Sequence, residues 1–518
     1  RNGRWDTASR IAERDGPAAV SIIEWIRLRE GRGTPEEVLA FVEERPDWPG
    51  ISYLRKRSEE VMTHADFDDV LAFYSDYRPQ TGEGVLNYAR ALTARGQEGE
   101  AAATVVLAWR TMDLSTAEHN AFLDAHADLL KPHHESRMQM AVWRGLRDVQ
   151  QMLPLVSKET RALVEARQKI ERGTALKDSD LPEGGATDAG IAYERFNQHI
   201  KKGRSDDAIA LMIKQSKIED GLGEPDRWAG WRRSLARSKM REGDIDTAYQ
   251  LAAIHQLVDG SNYADLEWLS GYLALTYLDA PELALDHFQR FRAAVETPIS
   301  LGRAGYWIGR AQDALGDTEA AQLSYAFGGE YQTSFYGLLA AERAGMPPDP
   351  ALAGAAPDPD WRNAPFAQSP LFKAGVLLLS TDRISLAEQF FVALTDTLEE
   401  DEINRLGHAL DTLDEPHLEV MVGKAAAQRG LVVPGPYYAL PPMRQMDLPV
   451  PVELALAIAR RESEFDHRVQ SGAGAQGLMQ LMPGTASDMA RSLGIQHTRS
   501  RVLSDWRYNA TLGSAYPA

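Results

Sequence analysis

Short turns of similar sequence recur along the middle of the chain and separate segments with the periodicity of amphipathic helices. Each turn begins with glycine or aspartate and ends with alanine, and the alanines are 40, 36 and 36 residues apart. The four turns lie at residues 203–208, 243–248, 279–284 and 316–320, with weaker copies at 96–101 and 31–38. This is the expected pattern of helical hairpins, at a period close to that of tetratricopeptide solenoids. Residues 1–345 are therefore predicted to form a helical solenoid, with a generic helical bundle as the alternative.

Two stretches rich in proline interrupt the helical pattern and divide the chain into three parts. Residues 344–370 combine proline, alanine and aspartate, and residues 432–451 contain six prolines. Between them the helical periodicity returns, with another hairpin-like turn at Ile384. Because such breaks mark linkers, the predicted domains are a solenoid at 1–345, a linker region with a small helical domain at 346–440, and a last domain at 441–518.

The composition disfavours several classes of protein. The formal net charge is −19, which argues against nucleic acid as a partner. The chain contains no cysteine, so disulfide bonds and thiolate metal sites are ruled out; no other metal-ligand spacing is evident, and no cofactor is expected. No apolar run approaches about 18 residues, so no transmembrane segment is expected, and no signal peptide is visible after Arg1.

One carboxylate near the carboxyl end lies in a pattern that suggests chemistry. Positions 454, 455, 458, 459, 462 and 465 fall at three- and four-residue steps of a predicted helix. Glu462 is therefore expected to lie in line with the buried stripe, half removed from water. Such an environment favours the protonated carboxyl and suits a general acid that protonates a leaving oxygen. The structural alternative is a helix-end glutamate paired with Arg461 or Arg468.

A glycine-rich segment follows this helix. Gly472, Gly474 and Gly477 read as G-x-G-x-x-G, but a helix precedes them where a dinucleotide site needs a strand, so that interpretation is rejected. The glycines would instead permit close approach of a ligand. Gln480 stands among leucines and methionines, and its amide requires partners. A sugar hydroxyl or acetamido group and the backbone of the core are equally good candidates.

Together these residues resemble the catalytic motif of the soluble lytic transglycosylases, which cleave peptidoglycan. The resemblance implies an all-α fold in which a superhelix of tetratricopeptide-like hairpins precedes a helical linker domain and a catalytic domain similar to goose-type lysozyme. It also implies a periplasmic location and peptidoglycan glycan strands as the partner. The matching positions are Glu462-Ser463, Ser471, Gly474-Ala475, Gly477-Leu478-Met479-Gln480, Met482-Pro483, Thr485-Ala486, Asn509, Leu512-Gly513 and Tyr516.

The resemblance further implies a reaction and roles for single residues. Glu462 would be the sole acid and base, which protonates the β-1,4 bond between N-acetylmuramic acid and N-acetylglucosamine and then deprotonates the muramyl 6-hydroxyl. A 1,6-anhydro ring closes without water, so the absence of an evident second carboxylate is consistent. Ser471 would orient Glu462, and Gln480 and Met482 would contact the glycan. Ser463 and Met479 are further motif residues for binding or orientation.

Two alternatives stay open at this stage. A hydrolase of the same fold, a muramidase similar to goose-type lysozyme, would need a second carboxylate or a positioned water. A periplasmic solenoid scaffold that binds glycan without cleaving it is the non-enzymatic alternative. The family pattern continues beyond Tyr516, whereas Pro517-Ala518 do not match it. The catalytic domain is therefore expected to lack its last part in this sequence.

Overall fold

The computed structural model describes residues 4–353 and 360–516 and confirms the all-α class. Within those ranges the only β pairing consists of two isolated bridges, Gln470 with Gln476 and Gln476 with Leu481. Positions 354–359 of the predicted linker, together with Pro517 and Ala518, lie outside the described residues. None of the described helices combines the length and the apolar character that a membrane span requires.

The contacts between residues divide the chain into two compact units. One unit comprises residues 25–44 and 52–347, and the other comprises the described residues up to 24, from 45 to 51 and from 348 onward. We call them the hairpin unit and the carboxyl unit. Since this division does not separate 346–440 from 441–518, the three-domain boundaries stay a prediction.

The α-helices cover most of both units. In chain order they are α1 (Trp5–Ala12), α2 (Pro17–Arg29), α3 (Pro35–Glu44), α4 (Ile51–Ser58), α5 (Phe67–Phe73), α6 (Gly82–Ala94), α7 (Glu98–Thr111), α8 (Thr116–Leu130), α9 (His134–Arg144), α10 (Val149–Met152), α11 (Lys158–Glu171), α12 (Ala189–Lys201), α13 (Ser205–Ser216), α14 (Pro225–Glu242), α15 (Ile245–Ala253), α16 (Gly260–Tyr277), α17 (Pro281–Ala293), α18 (Pro298–Ala314), α19 (Thr318–Gly329), α20 (Phe335–Ala344), α21 (Pro370–Ser380), α22 (Ile384–Thr395), α23 (Glu400–Thr412), α24 (Pro416–Gln428), α25 (Pro434–Tyr437), α26 (Val452–Ser463), α27 (Pro483–Ser492), α28 (Arg501–Ser504) and α29 (Trp506–Ser514).

The four recurring turns connect the helices of four hairpins, as predicted. They join α12 to α13, α14 to α15, α16 to α17 and α18 to α19, and the two helices of each hairpin pack against each other. The first residue of each turn has a left-handed backbone, which suits glycine; these residues are Gly203, Gly243, Asp279 and Gly316. Five residues later comes a buried alanine: Ala208, Ala248, Ala284 or Ala321. In the fourth turn the buried alanine is Ala321, one residue beyond the Ala320 that ends the sequence pattern.

A buried acid joins the two helices of one hairpin to the segment that precedes them. Glu267 of α16 is 4% exposed, and its carboxylate lies 3.1 Å from His255 Nε2, 2.6 Å from His287 Nδ1 and 2.9 Å from Arg290 Nε. The backbone N–H of Leu257 donates to His255 Nδ1, so Nε2 carries the proton that His255 donates to Glu267. Burial alone would raise the pKa of Glu267, but the hydrogen bonds from the two histidines and from Arg290 lower it to about 2.

Replacing Glu267 should change the free energy of unfolding of the hairpin unit and its dependence on pH. Glu267→Gln is expected to lower the free energy of unfolding by about 3–5 kcal/mol at neutral pH, because it leaves buried donors without their anion. Since the folded pKa lies below the unfolded value, the contribution of Glu267 is complete above about pH 4.5 and is lost as the pH falls toward about 2. Urea unfolding monitored by tryptophan fluorescence at several acidic pH values measures this.

The exposed Glu319 of α19 offers a matched control in the same unit. Glu319→Gln should leave both the free energy of unfolding and its acid dependence within experimental error of the parent protein. A Glu267→Gln protein as stable as the parent at neutral pH would contradict the assigned role of the carboxylate.

In the carboxyl unit, close helix contacts prepare the surroundings of Glu462. A Cβ atom on Gly423 of α24 would lie 2.4 Å from the Tyr437 nitrogen, so glycine is required for the backbone of α25 to approach so closely. Val420 of α24 shares one apolar core with the α26 residues Ala455 and Ala459 and with the glycine-rich segment. The helix that carries Glu462 thus contributes small side chains to the same core as α24.

Candidate active site

Glu462 lies in the last turn of α26 with its side chain exposed to solvent. The buried residues of α26 are Ala455, Ala459 and Ser463, four residues apart, whereas Leu454 on the predicted buried stripe is 44% exposed. The prediction of a half-buried Glu462 was therefore wrong by one residue, or about 100° around the helix. The inward face is the one with small side chains, because these let α26 approach its neighbours closely.

Ser463 connects the end of α26 to the glycine-rich segment. Its side chain is 8% exposed, and its hydroxyl lies 2.6 Å from the Leu478 carbonyl oxygen and 3.2 Å from that of Ala459. A buried hydroxyl that donates to a carbonyl of another segment fixes the distance between the two backbones. The residue after Glu462 thus holds the segment in place instead of facing solvent.

The segment from Val469 to Met482 is a compact loop closed by its own backbone hydrogen bonds. Gly477 N donates to Val469 O over 2.9 Å, while Gln476 and Leu481 each donate to the other's carbonyl oxygen over 3.0 Å. Gly474 and Gly477 have φ values of 92° and 72°. Helix α26 precedes this loop and the bridges within it are antiparallel, which agrees with the rejection of a dinucleotide site.

Gly477 is the glycine that this loop requires on two grounds. Its φ of 72° is unfavourable for other residues, and a Cβ atom there would lie 2.5 Å from Asn509 Nδ2 and 2.7 Å from Val502 O. The second ground shows that a neighbouring side chain occupies the space next to the loop.

That side chain belongs to Asn509 of α29, which is fully buried. Its Oδ1 accepts from Met479 N over 2.8 Å, and its Nδ2 donates to Gln476 O over 2.9 Å and to Val502 O over 2.8 Å. One amide therefore satisfies three backbone groups from two segments. Asn509 belongs to the sequence motif, but the motif alone assigns it no role. Its signal in the sequence is a polar residue between Tyr508 and Ala510 near the start of a helix.

Ser471 and Gln480 make local contacts within the loop. Ser471 Oγ accepts from Ala475 N over 3.0 Å. Gln480 has a φ of 46°, and its Nε2 donates to Gly477 O over 2.9 Å and to Val469 O over 3.2 Å. The backbone therefore satisfies the amide nitrogen of Gln480, and its Oε1 accepts no hydrogen bond from the described residues.

The two methionines of the motif have different surroundings. Met479 is 5% exposed and packs in the core, where a Cβ atom on Gly513 would lie 2.5 Å from its sulfur. Met482 is 45% exposed and precedes Pro483, the first residue of α27. Of the two, Met482 offers an accessible apolar surface next to the loop.

The acids nearest to Glu462 in sequence are both engaged. Glu464 forms an ion pair with Lys424 of α24. Asp466 Oδ1 accepts from Arg468 N over 2.9 Å, and Arg468 also lies 3.2 Å from Glu415 Oε1. His467 lies between Asp466 and Arg468 in the sequence, and burial together with the nearby charge of Arg468 lowers its pKa. In this part of the described chain, Glu462 is the acid that projects freely from the helix end.

The residues around Glu462 are similar to a domain of known proteins. Residues 444–516 match the family model of the transglycosylase SLT domain. The soluble lytic murein transglycosylases of Escherichia coli and Salmonella typhimurium are 40% identical over 68 residues and 41% identical over 63 residues, respectively. These alignments span 13% and 12% of this chain, and only 10% of the length of each relative.

Solved structures share the fold over a much larger part of the chain. The lytic transglycosylase Slt of Pseudomonas aeruginosa, solved as an inactive mutant with glutamine in place of a glutamate, gives a TM-score of 0.62 at 20% identity. That similarity covers 98% of this chain and 83% of the other. The 70 kDa soluble lytic transglycosylase of Escherichia coli gives 0.56 at 18% identity, over 99% of this chain and 84% of the other. At these identities the similarity establishes the fold.

The SLT match over the site and the fold shared along nearly the whole chain agree with each other. Residues 444–516 thus match the transglycosylase SLT domain, and the chain as a whole shares the fold of two solved lytic transglycosylases.

Proposed function

We propose that this protein is a lytic transglycosylase that cleaves the glycan strands of peptidoglycan, with Glu462 as its single acid and base. The observation that carries the proposal is that the SLT match spans both Glu462 and the loop that Asn509 holds. An exposed carboxyl group at a helix end, beside a braced loop, is accessible to a polymer and keeps a defined position.

The reaction that this arrangement supports needs one carboxyl group in two protonation states. Glu462 first donates its proton to the oxygen of the β-1,4 bond, and the N-acetylglucosamine chain leaves. The carboxylate then takes the proton of the muramyl 6-hydroxyl while that oxygen bonds to the anomeric carbon and closes the 1,6-anhydro ring. The carboxyl group is protonated again at the end, so neither water nor a second acid is consumed.

The engagement of the neighbouring acids supports a single-carboxylate mechanism. Glycosidases that use water as the nucleophile employ a second carboxylate at a defined distance from the first. Glu464 is paired with Lys424, and Asp466 accepts a backbone hydrogen bond, so both acids already have partners within the protein. This favours ring closure over the muramidase alternative.

We assign roles to the motif residues according to whether their side chains are exposed to solvent or buried. Met482 and the Oε1 atom of Gln480 are assigned to the glycan, because the first is exposed and the second accepts no internal hydrogen bond. Ser471 orders the loop next to Glu462. Ser463 and Met479 act from within the core, since both are buried. The periplasm is the proposed place of action, since that is where a glycan substrate of this class occurs.

Mass spectrometry of the products tests the proposed reaction. Purified peptidoglycan incubated with the protein should release muropeptides that are lighter by one water than hydrolysis products, which is the mass of a 1,6-anhydro end. Products with hydrated reducing ends would replace the proposal by a muramidase. Retention on peptidoglycan without any cleavage by a folded protein would replace it by a glycan-binding scaffold.

A further inference from the structure

The backbone directly after Glu462 adopts a conformation that its residues do not favour. Helix α26 ends at Ser463, and the next two residues, Glu464 and Phe465, have left-handed φ values of 53° and 64°. Helices often end in this conformation, but with glycine at the left-handed position. A side chain other than glycine makes the conformation unfavourable, so contacts from elsewhere must hold this turn.

Those contacts come from one face of α24. His417 Nδ1 lies 3.0 Å from the Glu464 carbonyl oxygen, and Lys424 Nζ pairs with the Glu464 carboxylate. His417 and Lys424 are seven residues apart, so they share a face of the helix. At the start of α24, Glu415 holds Arg468 with both carboxylate oxygens, at 3.2 and 3.4 Å. The turn is thus attached at three points over five residues.

His417 has a further partner that favours its charged form. Because Nδ1 faces a carbonyl oxygen, it must carry a proton, and Nε2 lies 3.5 Å from Glu388 Oε2 of α22. A second proton on Nε2 makes that approach attractive. Burial lowers the pKa of His417, but the hydrogen bonds to Glu388 and to the Glu464 carbonyl, with the charge of Asp466, raise it overall. Its contribution is therefore complete below about pH 6.5 and is lost as the pH rises through the raised pKa.

The geometry points to Glu415, His417 and Lys424 as positioning residues that clamp the turn after α26 and thereby hold Glu462 in its reactive orientation. The route is short: Glu464 N donates to Arg460 O over 3.1 Å and Asp466 N donates to Ser463 O over 2.9 Å, so the turn closes the last helical turn around Glu462. If the turn loosens, the helix end that carries the acid loosens with it. That the clamp orients a catalytic acid rests on the proposed function, whereas the clamp itself does not.

Hydrogen exchange measured by mass spectrometry tests the clamp without reference to activity. The reporters are the amides of Glu464 and Asp466, in the parent protein and in Lys424→Met and His417→Gln. Exchange should accelerate roughly two- to fivefold in Lys424→Met, since its ion pair is partly exposed, and more in His417→Gln. The exposed Arg491–Asp488 pair lies on α27, so Arg491→Met is the matched control and should leave these amides unchanged.

Kinetics test whether the clamp positions the acid. Lys424→Met should lower kcat by about tenfold with KM nearly unchanged, because the glycan contacts remain. The double substitution Lys424→Glu with Glu464→Lys restores the ion pair with reversed charges. It should therefore have a higher kcat and better protected amides than either single substitution. Unchanged exchange in Lys424→Met and His417→Gln, or faster exchange with an unchanged kcat, would overturn the inference. A parent protein without cleavage would defeat the proposed function, while the exchange results would still decide on the clamp.

Discussion

Glu462→Gln should lower the rate of glycan cleavage by roughly 10²–10⁴-fold, the range that a positioned acid or base supplies. The loss should approach the upper end, because the same group acts in both steps of the proposed reaction. Glutamine has nearly the same shape and can still accept hydrogen bonds, so retention on insoluble peptidoglycan should remain close to that of the parent protein. Release of soluble muropeptides over time measures the rate.

Glu453 provides the matched control for this substitution. It is an exposed acid in the first turn of the same helix, and Glu453→Gln makes the same chemical change two to three turns away. Cleavage should proceed at the parent rate. If Glu462→Gln released anhydro products as fast as Glu453→Gln, another group would have to be the acid, and the proposed role of Glu462 would be abandoned.

Asn509→Leu should produce the largest loss of stability in the carboxyl unit. Leucine has a similar volume but leaves Met479 N and Val502 O without the Asn509 amide, whereas Gln476 O keeps its hydrogen bond from Leu481 N. Each unsatisfied buried group costs about 1–3 kcal/mol, so the substitution is expected to cost about 2–5 kcal/mol after partial relaxation. Differential scanning calorimetry measures the loss, and limited proteolysis should show cleavage within the loop at 469–482.

The same substitution at an exposed site separates this effect from a general effect of leucine. Asn363 is exposed, and among the described residues its Nδ2 donates to the two carboxylate oxygens of Asp360. Asn363→Leu should leave the unfolding temperature almost unchanged. Equal unfolding temperatures for Asn509→Leu and Asn363→Leu would show that the three hydrogen bonds do not hold the loop. The rate of glycan cleavage by the Asn509→Leu protein should fall as the loop becomes less ordered.

Local patterns predicted much of the fold and less of the site. The hairpin turns were predictable because glycine, cap and buried alanine lie within a few residues of each other. The orientation of Glu462 was not, since the predicted stripe included Leu454 and Glu462 beside Ala455 and Ala459. In the structure the stripe through Ala455, Ala459 and Ser463 turns inward. Only the tertiary partner decides which sector of a helix turns inward.

Contacts between distant segments left no local signal. Asn509 reaches back 30 residues to Met479, and Lys424 reaches forward 40 residues to Glu464. Neither pair could be recognised from spacing, because helical periodicity relates only residues a few positions apart. The sequence motif included Asn509, but the contacts that Asn509 and Lys424 make emerged only from the fold.

The constant interval between turn and buried alanine has a consequence for how such a chain can change in length. Each hairpin of α12–α19 has its buried alanine at the same distance from its turn, so the four hairpins repeat one local geometry. In stacked repeats stability is approximately a sum over neighbouring units. Duplication or deletion of one whole hairpin therefore keeps this geometry in the hairpins that remain, whereas a gain or loss of a few residues between turn and alanine moves the alanine off its buried position. Related proteins built in this way can therefore gain or lose whole hairpins, whereas insertions or deletions of a few residues are poorly tolerated.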